Sequence, residues 1–402
     1  MPGLAGLLLA LLFVGALLAR ADGDPSRLVH AGAPCTTEEP APALPSCDAA
    51  IRFVEEGGGG SGRSGARGSL TVQEADQAFD GQFFYRLGVS PWSTDARVAG
   101  VQNDLPSLRN ARWGYGALAW VVSAGDPDLV PWALIAINVA AAFAVGAIGG
   151  GLARTARRHA AWGALFVLWP GFAYSLSLDT SELMAGALLL GGLLALRHKQ
   201  WVLTAALLTF AVVTRDTTTV VPFAVALSGL WVAERTERAK QVAAGAVPLA
   251  AFAGWQLLQR WRFGSLPLTS SGDNNLSAPL GGLFDQLGTL LPPSGGAEAF
   301  RLLSIIGLVA LLGAAGWMLV RLRDRPLDAE RLAWLGAVAV VLVLNAYLWS
   351  GATAFMRAAT EAGLLSILLL LRAAPTRLLT AAGIGLGGLW LLTAAAQLGK
   401  VA

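Results

Sequence analysis

The chain has 402 residues, 55% of them hydrophobic and 14% charged, with a formal net charge of +3 and a mean hydropathy of +0.57. An average soluble domain is roughly 45–50% apolar and about 25% charged, so a soluble globular enzyme, a disordered chain and a disulfide-dense secreted domain are excluded. No Gly-rich phosphate fingerprint follows a plausible strand, which removes the Rossmann and P-loop classes, and two Cys with three His do not make a typical zinc site.

What remains is an all-α, polytopic transmembrane bundle. A crossing needs about 20 mostly apolar residues. Candidate blocks are 3–18, 130–152, 159–177, 182–196, 200–214, 219–233, 241–260, 302–320, 332–349, 361–371 and 378–397, about eleven spans. The first block is a span or a signal peptide, since Ala19-Arg20-Ala21 fits a small-x-small cleavage site. The loop that follows it is outside in either case. Segment 113–124 is about half a membrane thick. It reads as a re-entrant or surface helix, with a crossing as the alternative.

Alternate loops carry Arg154, Arg157 and Arg158, then Arg197 and Lys199, then Arg235, Arg238 and Lys240, then Arg321, Arg323, Arg325 and Arg331, then Arg372 and Arg377. With the N-terminus inside, all five are cytoplasmic, as the positive-inside rule requires. The opposite loops hold Asp80, Asp126, Asp128, Asp179, Glu182, Asp216, Asp273 and Glu361. The organisation expected is a first helix (1–20), an extracytoplasmic loop (21–112) with a Gly/Ser/Arg linker at 57–68, a transmembrane core (113–270), a second outer loop (271–300) and C-terminal helices (301–402). Cys35 and Cys47 lie in the first outer loop with eleven residues between them, so a disulfide is expected, with two free thiols as the alternative. Asn275-Leu276-Ser277 fits the N-glycosylation triplet.

Ionisable residues at membrane depth are costly and mark functional sites. Asp80 precedes Gly81-Gln82-Phe83-Phe84-Tyr85-Arg86, an aromatic cluster that suits an interfacial carboxylate or an ordinary aromatic belt. Arg109 and Arg112 are three apart, on one face of a helix with Tyr115 a turn further, and suit phosphate binding or headgroup anchoring. Asp179 and Glu182 sit where one helix ends and the next begins, and helix capping through Thr180 or Ser181 is the structural alternative. Arg215-Asp216 joins two apolar blocks with almost no loop, and Arg357 with Glu361 is a similar pair.

The run from Asp80 to Arg86 after a first span resembles the signature of GT-C superfamily glycosyltransferases, the polyprenyl-phosphate-sugar-dependent enzymes of the PMT and PIG-V kind. Residues 109–120, 168–196 (LWPGFAYSLSLDTSELMAGALLLGGLLAL), 213–227 and 255–267 (WQLLQRWRFGSLP) resemble the branch that forms bacterial cell-surface glycopolymers. The likeness is good over residues 78 to 270 and rests on hydropathy in the last third. Leu178 stands where that branch usually has a basic residue, and Asp216 where Glu is commoner.

The resemblance implies a multi-pass plasma-membrane (inner-membrane) hexosyltransferase with its active site outside. Sugar would pass from a polyprenyl phosphate to a glycan, lipid or protein acceptor of the envelope, with inversion and with Asp80 as base. Burial is expected to raise the pKa of Asp80 toward neutrality. Arg109, Arg112 and Arg357 are expected to hold the phosphate. Asp179, Glu182 and Asp216 would orient the acceptor or bind a divalent cation, Mg or Mn. Gln82, Tyr85, Arg86, Tyr115 and Arg215 complete the expected substrate-binding set. No His and no nucleic acid is expected to take part. A transporter or flippase and a non-catalytic assembly scaffold are the alternatives. A transporter calls for midplane charges and repeated halves, and the sequence has no internal repeat.

Overall fold

The computed structural model describes residues 1–32, 70–73, 79–270, 275–323 and 327–400. Cys35, Cys47, the 57–68 linker, Asp273 and Arg325 lie outside the described residues.

In chain order the helices are α1 (Pro2–Arg20), α2 (Gly81–Val89), α3 (Pro106–Ala111), α4 (Trp113–Ser123), α5 (Val130–Thr155), α6 (Ala164–Val167), α7 (Pro170–Ser177), α8 (Glu182–Arg197) and α9 (Trp201–Thr214). They continue as α10 (Val220–Gly229), α11 (Arg235–Phe263), α12 (Gly281–Leu290), α13 (Gly296–Arg321), α14 (Ala329–Leu342), α15 (Ala346–Trp349), α16 (Ala352–Ala358), α17 (Thr360–Ala373) and α18 (Thr376–Lys400). Besides short 3-10 turns, among them Pro25–Val29 and Asp216–Thr219, there are two pairs of two-residue strands among the described residues: β1 (Ala31–Gly32) parallel to β2 (Val72–Gln73), and β3 (Arg97–Val98) antiparallel to β4 (Val101–Gln102).

The protein is mostly helical. Among the described residues α1, α5, α11, α13 and α18 are long and apolar enough to cross a membrane, and α16 with α17 makes a sixth candidate bent by 58°. Such helices are those of a membrane protein. The other expected blocks form shorter or broken helices, for local reasons. Block 159–177 breaks at Trp169, whose ψ of 120° is the extended conformation imposed on a residue before proline. Block 332–349 stops at Leu342 and restarts as α15, with the Asn345 side chain accepting from the Leu348 amide. Segment 113–124 forms the short α4.

Helix α1 is part of the packed body. Ala10, Phe13, Val14 and Leu17 are buried. Phe13 meets Trp390 of α18 edge to face at 5.4 Å, and Arg20 Nη1 donates to the Leu398 carbonyl at 2.9 Å.

Polar chemistry concentrates at two opposite ends of the bundle. At one end the five basic loops come together. Arg197 forks onto Glu330 (2.6 and 2.8 Å), which also takes Arg372 (2.8 Å), and Arg372 reaches Asp328 (2.6 Å). Lys199 pairs with Glu237 at 3.1 Å, and Arg158 donates to the Ala374 carbonyl at 2.5 Å. Asp328 and Glu330 stand among the basic residues, where they neutralise the guanidiniums of Arg197, Arg331 and Arg372 at three helix ends. Helices α8 and α17 end in this cluster and begin at the other, with Glu182 and Glu361. A 16-residue helix such as α8 is about 24 Å long, so the two clusters are well separated.

Candidate functional site

The second cluster is built around Asp80, at the start of α2. Gly81 makes that start possible: a Cβ there would lie 2.5 Å from the Leu178 carbonyl oxygen and 2.6 Å from that of Val29. Only glycine lets the backbone pass between two carbonyls this closely. The Asp80 carboxylate makes no cap bond to α2. It turns to arginines, accepting at 3.0 Å from Arg109 Nη1 and at 3.0 Å from Arg357 Nη2, with Arg112 Nη1 at 3.9 Å.

Arg109 and Arg112 do not share a helix face as expected. Helix α3 ends at Ala111 and α4 starts at Trp113, with Arg112 at the break (φ −85°, ψ 49°). Arg109 is locked: Nε and Nη2 fork onto Asp104 (3.0 and 3.1 Å), and its guanidinium lies 3.9 Å from the Phe83 ring centroid. Arg112 is loose by comparison. Its Nε is 3.7 Å from Asp216 Oδ1, it donates no hydrogen bond among the described residues, and its side chain is 29% exposed. Gly114 brings it there, since a Cβ at that position would meet Thr214 Oγ1 at 2.3 Å, so α4 starts against the segment that carries Arg215 and Asp216.

Glu182 is fully buried at the first turn of α8. Its Oε1 accepts from Arg215 Nη1 (2.7 Å) and Arg357 Nε (2.8 Å), and its Oε2 from Ser175 (3.0 Å) and Thr180 (2.5 Å). Ser181, expected as a cap, makes no side-chain cap bond; Thr180 bonds the Glu182 carboxylate instead. Arg215 also donates to Glu361 (2.8 Å) and to the Arg357 carbonyl (2.7 Å), and Thr217 donates to Glu361 (2.8 Å). Arg357, its guanidinium 4.6 Å from the Phe79 ring centroid, therefore joins Asp80 to Glu182. It leads the α16–α17 break, where Ala359 leaves the helix. The network thus brings Asp80, Arg109, Arg112, Glu182, Arg215, Asp216, Arg357 and Glu361 together.

Beside it lies a narrow cleft lined by Asp80, Phe83, Phe84, Leu108, Arg109 and Arg112. The expected raised pKa of Asp80 is corrected. Burial by itself would raise it, but attraction to Arg357, Arg109 and Arg112 outweighs burial and holds the carboxyl well below its ordinary range. Asp179 behaves in the opposite way. It is fully buried at a left-handed φ of 46°, neither oxygen has a hydrogen-bond partner among the described residues, and burial pushes its carboxyl well above the ordinary range.

The other expected residues line no part of the cleft. Gln82 is fully buried with both amide atoms unpartnered among the described residues, and Tyr85 is buried in the core. Arg86 braces the 90–110 segment through the Asp95 carbonyl (2.7 Å) and Asn110 Oδ1 (3.5 Å). Tyr115 donates to the Leu134 carbonyl at 2.9 Å and accepts from Asn138 at 2.7 Å, fastening α4 to α5. Sequence reasoning missed Asp104; its position just ahead of a short helix, five residues before Arg109, was the available signal. Among the described residues there is no group of three or more His, Cys, Asp or Glu able to hold a metal ion. The site carboxylates face guanidiniums, which is not a donor set for Mg or Mn.

The chain matches no family model, no curated protein and no solved structure.

Proposed function

We propose that this protein is a membrane glycosyltransferase of the GT-C kind, moving a hexose from a polyprenyl phosphate to an envelope acceptor at the extracytoplasmic face of the plasma membrane. The observation that carries the reading is the cleft where the Asp80 carboxylate adjoins Arg112, whose hydrogen-bonding capacity is unspent. An arginine with free donors suits a phosphate, and a carboxylate beside it suits an acceptor hydroxyl. The topology proposed with it has eleven crossings and a cytoplasmic N-terminus. The gathering of the five basic loops at one end of the bundle supports that orientation.

In this reading the donor phosphate binds Arg112 and draws Arg357 toward itself. That weakens the arginine field on Asp80, so burial again favours a basic carboxylate. The acceptor oxygen attacks the anomeric carbon as Asp80 takes its proton, the carbon–oxygen bond to phosphate breaks with inversion, and polyprenyl phosphate leaves as an anion. No step is routed through a divalent cation.

One observation favours a transporter as the second reading: the α16–α17 helix is broken by 58° beside Arg357 and Glu361, and broken helices with charges at the break are a feature of transporters. The experiment that separates the two is transfer from a radiolabelled polyprenyl-phosphate hexose in isolated membranes, with protein levels matched. Transfer lost in Asp80→Asn and Arg112→Ala supports the transferase. Full transfer in Asp80→Asn removes the base assignment. Movement of label across proteoliposomes without acceptor, and no transfer, supports transport.

A further inference from the structure

His30 follows a short 3-10 turn (Pro25–Val29) that leads away from α1, and it is 95% buried in a left-handed conformation (φ 51°, ψ 53°). Its ring and its backbone reach two different parts of the site. The Nε2 nitrogen donates to the Ser177 carbonyl at 3.1 Å, satisfying one of the carbonyls left open at the C-terminus of α7. The His30 carbonyl accepts from the Phe79 amide at 2.9 Å. The Phe79 ring underlies the Arg357 guanidinium, and the next residue is Asp80.

The neighbours of His30 are fixed in turn. Asp24 caps the 3-10 turn by accepting from the Ser26 amide (2.8 Å), Ser26 Oγ accepts from the Thr71 amide (2.9 Å), and Ala31 pairs with Val72. Val29, one residue earlier, supplies one of the two carbonyls between which Gly81 passes, and Leu178, one residue after Ser177, supplies the other. His30 therefore spans the same two segments that grip the start of α2. It does so 3.1 Å from the end of α7, from which the chain runs on to Asp179 and Glu182.

We infer that His30 is a positioning residue that fixes the Phe79–Asp80 segment against the end of α7, and so sets where the Asp80 carboxylate stands; its catalytic consequence rests on the transferase reading above. A misplaced reacting group slows turnover more than it weakens ground-state binding, and Arg112, which would hold the donor, belongs to another segment.

The test uses the full chain. His30→Leu keeps bulk and removes the ring donor, while His30→Gln keeps an N–H within reach. In the hexose-transfer assay, His30→Leu should lower turnover at saturating donor by roughly 10–100-fold, with the apparent KM for donor changed by less than about threefold. His30→Gln should return turnover to within about threefold of wild type. By hydrogen exchange in detergent, amides of residues 79–89 should exchange about tenfold faster in His30→Leu and at the wild-type rate in His30→Gln. Wild-type turnover and exchange in His30→Leu, or a His30→Gln as impaired as His30→Leu, overturns the inference. If the wild type transfers no hexose, the transferase reading falls, and exchange alone decides whether His30 holds the segment.

Discussion

Asp80 and Arg357 stand 277 residues apart in the chain, yet Asp80 Oδ2 accepts a hydrogen bond from Arg357 Nη2 at 3.0 Å. One contact thus joins the segment after the first helix to the broken helix near the C-terminus. The same guanidinium continues to Glu182, so three parts of the chain meet at one arginine. Asp80→Asn keeps the shape and removes the negative charge that Arg109, Arg112 and Arg357 face. Transfer should fall by roughly 10²–10⁴-fold, and stability by about 1–2 kcal/mol. The pH sign follows from the depressed pKa. The stabilising contribution is complete above the ordinary carboxyl pKa and is lost as pH falls below it. Thermal unfolding in detergent should therefore show a shallower acid limb for Asp80→Asn than for wild type.

Arg215 and Arg112 should respond differently to removal. Arg215 is buried between Glu182 and Glu361, so Arg215→Met strands two buried carboxylates and should cost about 3–5 kcal/mol. Arg112 holds its partners only at 3.7 and 3.9 Å, so Arg112→Ala should cost less than about 1 kcal/mol. Melting temperatures of the two variants, measured side by side, check the order. Equal losses would mean that Arg112 is part of the structural lattice.

Gly81→Ala should be damaging out of proportion to one methyl group. The new Cβ would meet two backbone carbonyls at 2.5 and 2.6 Å, neither of which can swing aside. A loss of about 1–3 kcal/mol is expected, with impaired transfer because Asp80 adjoins the displaced residue. Gly15, inside α1, has nothing within 4 Å of its would-be Cβ. Gly15→Ala should therefore be neutral or stabilising by up to about 1 kcal/mol. Thermal stability of the pair tests whether position rather than residue type decides.

Much of this arrangement was legible in the sequence, because charge inside an apolar chain stands out. Asp80, Asp179, Glu182 and Asp216, with Arg109 or Arg112, were readable as one group from their place at helix ends, and the basic loops were readable as one face, but Asp179 makes no hydrogen bond to the others among the described residues. Their mutual geometry was not readable. Hydropathy carries no record of which arginine a carboxylate will meet, so the reversal of the Asp80 pKa, set by Arg109, Arg112 and Arg357, could not be read from it. The α3–α4 break at Arg112 was hidden because residues three apart are assigned to one face only if the helix continues. His30 was passed over for a similar reason, since its contact with Ser177 joins segments 147 residues apart, whereas Asp104, five residues before Arg109, was within reach of sequence reasoning.

Asp179 gives the remaining prediction. Both carboxyl oxygens are buried without a hydrogen-bond partner among the described residues, and burial drives the pKa well upward. A carboxyl that is easier to protonate in the folded state than in the unfolded state favours folding at low pH. That contribution is complete below the ordinary carboxyl pKa of about 4, and it is lost as pH rises from there toward the raised folded value. At neutral pH the unfolded chain gains by ionising this group, so wild-type stability carries a penalty. Asp179→Asn has nearly the same shape and cannot ionise. Its melting temperature in detergent should equal or exceed that of wild type at pH 7–8, and the wild-type fall in stability between about pH 4 and pH 7 should be reduced. A marked destabilisation of Asp179→Asn at neutral pH would mean instead that the folded protein holds Asp179 as a carboxylate with a charged partner.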